Sequence, residues 1–233
     1  MSKILSSLTT AALAVGLLST AHAQTWPGHN AGGYVASDIA FHYTDMSDAT
    51  QITSGDDNWA RIALPFDFTL NGYTSQQLWV STNGIVGLDP ANAGSYCCSG
   101  NSGLDKTIAI AHMDWVDSVS SKVVGTGSNQ SLVLQWRGQE FGSNGAVDMQ
   151  MVLHDGSNNI EFQYLSLEET RHVMYTGLGD PTGDFGYFSA AANYSQKGLL
   201  ISAVPEPASM ALMLAGLGGL GGLGLVRRRR NAA

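Results

Sequence analysis

The chain of 233 residues carries 11 basic and 19 acidic residues, which give a formal net charge of −8 at pH 7. Five of the basic residues lie near the two ends, so residues 24–203 hold six basic and 18 acidic residues and a net charge of −12. Such a surface repels nucleic acid phosphates and anionic lipid, which excludes nucleic acid as a partner. The 180 residues of this segment suffice for one domain with a sizeable core.

Residues 1–23 have the three parts of a secretory signal peptide in order. Lys3 supplies a positive charge, residues 4–18 are apolar, and residues 21–23 read Ala-His-Ala, a small-x-small cleavage pattern. We predict a signal helix here, cleavage after Ala23, and export through the inner membrane. An ordinary buried helix is the alternative interpretation.

The segment 24–203 alternates apolar and polar residues as β-strands do. Residues 147–153 and 160–164 show this pattern on both sides of a Gly- and Asn-rich loop, which predicts an antiparallel hairpin. Further strands are expected over 64–68, 78–88, 107–112 and 131–137.

Two local signals refine this prediction. Pro65 lacks an amide hydrogen and therefore favours a sheet edge. Asn83-Gly84 between apolar flanks predicts a type I′ turn. No stretch shows sustained helical periodicity, so the expected fold is all-β, a single antiparallel, jelly-roll-like β-sandwich over residues 24–203.

The end of the chain, residues 204–233, has three parts. A Pro-Glu-Pro tripeptide cannot continue a helix or sheet, an apolar, glycine-rich run of about 18 residues is near the lower limit for a membrane span, and a basic cluster would hold its end on the cytoplasmic side. The tripeptide segment and the basic cluster comprise Val204, Pro205, Glu206, Pro207, Arg227, Arg228, Arg229 and Arg230.

This combination resembles the sorting tail of the PEP-CTERM proteins of Gram-negative bacteria. The resemblance implies a transmembrane helix and processing by an exosortase, a membrane transpeptidase-like enzyme that acts near the tripeptide. It also implies a protein that crosses the inner membrane and ends in the cell envelope, on the surface or in the extracellular matrix. A C-terminal anchor that is never cut is the alternative.

A second resemblance covers residues 60–179. The segments Leu-Pro-Phe-Asp-Phe at 64–68, Gly-Tyr at 72–73 and Trp-Val-Ser-Thr-Asn-Gly at 79–84 are similar to nidogen-type extracellular β-sandwich modules. This resemblance implies an adhesive or matrix module, and it supplies no catalytic residues.

Candidate ligand-binding residues are few. Asp114 and Asp117 place two carboxylates in one predicted loop and could bind calcium, although solvated turn carboxylates are the plainer interpretation. Asp56-Asp57 is a similar, weaker pair. We expect no other cofactor.

Aromatic and sulfur side chains supply the remaining candidates. Trp59, Trp79 and Trp115 could stack on sugar rings if they are exposed, or pack in the core. Cys97 and Cys98 are adjacent and could form a strained vicinal disulfide, pair between molecules, or stay free.

The sequence shows no nucleophile elbow, zinc-protease motif or P-loop, so we predict no enzymatic activity. The expected function is a structural or adhesive role at the envelope or in the matrix, with exopolysaccharide or other surface proteins as partners. The alternative is a secreted lectin or glycan hydrolase.

Overall fold

A computed structural model describes residues 33–89, 106–168, 174–179, 185–190 and 194–203. These residues form β-strands joined by turns, with one short 3₁₀ turn at Gly127–Asn129. The strands are β1 Tyr34–Ile39, β2 Thr50–Gly55, β3 Trp59–Leu70, β4 Tyr73–Ser81, β5 Ile85–Gly87, β6 Thr107–His112, β7 Trp115–Val124, β8 Ser131–Glu140, β9 Ala146–His154, β10 Ile160–Leu167, β11 Tyr175–Gly179, β12 Phe185–Ala190 and β13 Tyr194–Ala203.

The strands build two antiparallel sheets that face each other. One has seven strands in the order β1-β13-β10-β9-β8-β7-β2, and the other has six in the order β12-β11-β6-β5-β4-β3. The predicted all-β antiparallel sandwich is therefore confirmed. The jelly-roll-like connectivity is not, because β3 to β6 and β7 to β10 are meanders whose consecutive strands pair within one sheet.

Several sequence predictions on single strands are confirmed. The hairpin of 147–153 and 160–164 is β9 with β10, and Ile160 lies opposite Leu153. Pro65 lies in β3, which is an edge strand of the six-stranded sheet. The predicted signal helix and transmembrane helix lie outside the described residues, and within those residues no helix is long and apolar enough to cross a membrane.

The core fills the space between the two sheets, because alternate residues of each strand point inward. Two buried polar groups also join the sheets. Trp136 Nε1 donates to the carbonyl of Ser81 at 2.8 Å, and Tyr164 OH donates to the carbonyl of Ile110 at 2.6 Å. Burial raises the pKa of Tyr164 well above its usual value, so its hydroxyl stays a donor.

Two of the three Asn-Gly pairs of the chain connect strands of the six-stranded sheet, and they take different turns. Asn71 and Gly72 have φ of 51° and 76°, the left-handed values of a type I′ turn, and connect β3 to β4. At Asn83-Gly84 only the glycine has positive φ, at 71°, so the type I′ prediction there is wrong. The reason is tertiary, since the Asn83 side chain and backbone are bonded to other segments.

The segment between β1 and β2 crosses the outer face of the seven-stranded sheet, since these two strands form its opposite edges. We name residues 40–49 the strap. Its last four residues form a turn in which the amide of Ala49 donates to the carbonyl of Met46 at 3.1 Å.

Glutamines of three neighbouring strands hold the strap. Gln163 Oε1 accepts from the amide of His42 at 2.9 Å, and Gln150 bonds both the amide and the carbonyl of Thr44 at 2.9 and 2.8 Å. Gln135 Nε2 donates to Tyr43 OH at 3.0 Å. These side chains are buried because the strap covers them, which explains three polar residues that the alternation pattern places on an outer face.

Candidate functional site: one end of the sandwich

The turn of residues 82–84 organises one end of the sandwich. Asn83 Oδ1 accepts from the amide of Trp115 at 3.0 Å, and Asn83 Nδ2 donates to Asp57 Oδ1 at 2.7 Å. The amide of Thr82 donates to the carbonyl of Asn58 at 2.8 Å, so the β2–β3, β4–β5 and β6–β7 connections meet here. The β8–β9 turn joins them through the amide of Phe141, which donates to the carbonyl of Asp114 at 2.9 Å.

Three carboxylates converge at this end. Oxygens of Asp56, Asp57 and Asp114 lie within 4.8 Å of one another, with the first two residues exposed and Asp114 half-buried. Carboxylate oxygens are the ligands that calcium prefers, and water can complete its six to eight positions. We call this set the acidic trio. The structure thus brings the weaker candidate pair, Asp56 and Asp57, together with Asp114.

Asp117 has a different environment from the one the sequence predicted. It lies in β7, not in a loop with Asp114, and it points into the core with only 5% of its surface exposed. Both carboxylate oxygens are buried without a hydrogen-bond partner, and burial raises the pKa to about 9. An uncharged carboxyl does not attract calcium at neutral pH, so the pairing of Asp114 with Asp117 as one calcium loop is wrong.

Two glycines flank Asp117 in the sheet. Gly55 on β2 and Gly138 on β8 are its register partners. A Cβ at position 138 would lie 2.4 Å from the Cβ of Asp117, so this strand pair requires glycine there. Sequence reasoning could not detect this arrangement, because it depends on register between strands distant in the chain.

The tryptophans divide between core and surface. Trp115 is fully buried, and its Nε1 donates to the carbonyl of Ala111 at 2.7 Å, so it packs in the core and does not stack on a glycan. Trp79 is half-buried on the outer face of the six-stranded sheet, between the inward-facing Leu78 and Val80. Trp59, at the start of β3, is 52% exposed.

A groove runs between the strap and the seven-stranded sheet, with a volume of about 350 Å³. Its polar groups are bonded to one another: Tyr43 OH and Arg137 both donate to Asp148. Burial and the Asp148 carboxylate raise the pKa of Tyr43 far above its usual value. These bonds tie the strap to β8 and β9, which gives the groove a structural role.

Other sequence candidates lie outside the described residues. These are the adjacent cysteines and the whole sorting tail, namely Cys97, Cys98, Val204, Pro205, Glu206, Pro207, Arg227, Arg228, Arg229 and Arg230.

Comparison with protein families identifies both parts of the chain. The NIDO-related family matches residues 33–206, and the PEP-CTERM protein-sorting motif matches residues 203–230. The chain therefore belongs to the NIDO-related family and carries a PEP-CTERM sorting motif, which implies an exported protein that an exosortase sorts. Comparison with curated proteins and with solved structures gives no match.

Proposed function

We propose that this protein is a structural or adhesive component of the cell envelope or extracellular matrix. The observation that carries the proposal is the union of the two family matches, since an extracellular type of β-sandwich is followed directly by a sorting motif. Its partners would be the exosortase during sorting and exopolysaccharide or other surface proteins afterwards, with the inner membrane crossed in transit.

We further propose that the domain binds and does not catalyse. Its ion pairs support a structural role, because they join different segments of the fold. Lys122 bonds Asp48 at the end of the strap, and Arg137 of β8 bonds Asp148 of β9 at 3.0 Å. The exposed Trp59 favours a lectin as the second candidate, and a measurable glycan hydrolase activity would contradict both.

Replacing Glu206 with Ala is expected to leave most of the protein as an uncut, membrane-bound precursor. Proline disfavours continued helix and sheet, and Glu206 is the charged residue between the two prolines of the motif. Fractionation and immunoblotting of the exporting cells measure the effect. Asp67→Ala, an exposed carboxylate on β3, is the control. Unchanged processing and localisation in Glu206→Ala would contradict the prediction that an exosortase processes the chain at this motif.

Calcium is expected to bind the acidic trio with a dissociation constant of about 10⁻⁴ to 10⁻³ M, the range of extracellular modules. Asp56→Asn removes one negative charge from the trio and should weaken binding about tenfold, whereas Asp117→Asn should leave it unchanged. Titration calorimetry measures affinity, and sedimentation velocity shows whether calcium promotes self-association. Wild-type protein that releases no heat with millimolar calcium would remove calcium from the proposal.

A further inference from the structure

The outer face of the six-stranded sheet carries an exposed aromatic and cationic surface. Trp59 and Arg61 point outward from β3, as the exposed alternate positions of that strand show. Arg61 lies directly opposite Trp79 of β4, so all three side chains share one face. Cβ atoms directly opposite on paired strands are about 5 Å apart and diagonal ones about 7 Å, which makes these side chains neighbours. We call them the tryptophan–arginine face.

Arg61 is distinguished by its lack of a carboxylate partner among the residues that the structure describes. The other Lys and Arg side chains in the described part of the chain each form an ion pair, namely Lys106 with Asp89, Lys122 with Asp48, Arg137 with Asp148 and Lys197 with Asp38. Arg61 alone among them has neither a hydrogen bond nor an ion pair. An exposed guanidinium without such a partner, next to two indoles, can bind one carboxylate through two parallel hydrogen bonds, although the net charge of −12 opposes the approach of an anionic chain.

We propose that the tryptophan–arginine face binds a uronate-bearing saccharide chain. The indole rings offer apolar faces on which pyranose rings can stack, and the planar guanidinium offers two parallel donors that match a sugar carboxylate. This inference rests on the proposed extracellular role and names its ligand class and its site.

The size of the surface favours a saccharide over a protein partner. Beyond the two indoles, the same face of β3 and β4 carries small or polar side chains, including Ala63 and Gln77. Stable protein interfaces bury about 800 Å² per partner and have an apolar centre. Two rings flanking one cation match the width of a sugar chain instead.

The test is calorimetry on the full-length protein in detergent with two probes, a galacturonate tetrasaccharide and the neutral galactose tetrasaccharide of the same linkage. Wild-type protein should bind the galacturonate probe more tightly. Arg61→Gln should weaken binding of that probe about tenfold and leave the neutral one unchanged, because it removes only the carboxylate contact. Trp59→Ala should weaken binding of both probes, and Arg61→Lys should restore part of the preference.

Phe141→Ala is the matched control, since Phe141 is also 52% exposed but lies in the β8–β9 turn. No saturable binding by the wild type, or equal affinity in Arg61→Gln and wild type, would overturn the inference. The inference would also be overturned if Arg61→Gln or Trp59→Ala sedimented differently from the wild type but bound the saccharide with unchanged affinity. The partner of this face would then be a second copy of the chain. The sorting experiment on Glu206→Ala uses no saccharide. The proposed function and the saccharide inference can therefore be contradicted separately.

Discussion

Replacing Asp117 with Asn is expected to raise the free energy of unfolding at pH 7 by about 4 kcal/mol. The carboxyl has a pKa of about 9 in the folded protein and 3.8 as its ordinary value. Between these two values the folded state keeps a proton that the unfolded chain releases. Stability is therefore full below pH 4 and falls as the pH rises toward 9.

Asparagine has the shape of a protonated aspartate and no charge to lose. The two proteins should therefore be equally stable near pH 4 and diverge as the pH rises. Urea unfolding at a series of pH values measures the difference. Asp67→Asn on the exposed face of β3 is the control and should change stability by less than about 0.5 kcal/mol. A constant difference at every pH would refute the buried, protonated state of Asp117.

Gly84→Ala is expected to lower the free energy of unfolding by about 3 kcal/mol or more. Gly84 has φ of 71°, and a Cβ there would lie 2.3 Å from the carbonyl oxygen of Ala111 in β6. The obstacle is backbone that is itself bonded, since the amide of the neighbouring Ile110 donates to the carbonyl of Gly84 at 3.1 Å. The turn and β6 would have to move apart.

The loss in Gly84→Ala has two causes, the positive φ and the contact with β6, and Gly72→Ala separates them. Gly72 has φ of 76° but open space around the position of a Cβ, so alanine there meets only the conformational penalty of about 1 to 2 kcal/mol. Urea unfolding of both variants gives the comparison. Equal losses in the two variants would show that the contact with β6 contributes nothing.

The sequence predicted those strands whose own residue pattern shows which face is buried or whether the strand lies at an edge. β9 and β10 alternate because one face is core, and Pro65 marks an edge because it lacks an amide hydrogen. Gln135, Gln150 and Gln163 do not follow this logic. They are buried under a strap that has no strand pattern of its own, and no local signal shows that its two ends belong to opposite edges.

The candidate site was predicted in part for the same reason. The sequence identifies Asp114, Asp56 and Trp59 as candidate ligand-binding residues by their side-chain chemistry. Their relative positions depend on which turns meet at one end of the sandwich. Asp117 was placed in a loop because a charged residue normally avoids the core. Its inward position follows from the period of β7, in which Trp115, Asp117 and Val119 alternate. Arg61 was missed because the predicted strand began at residue 64.

The position of β13 has a mechanical consequence. This strand pairs on both sides, with β1 and with β10, and the sorting motif begins at its last residue, Ala203. A force that pulls on the tail therefore acts along β13. Since the ladder hydrogen bonds of both pairs are perpendicular to the strand, the force loads them together in shear and does not open them one after another. If the protein is held at the cell surface through this motif, the load therefore falls on a strand that is paired on both sides.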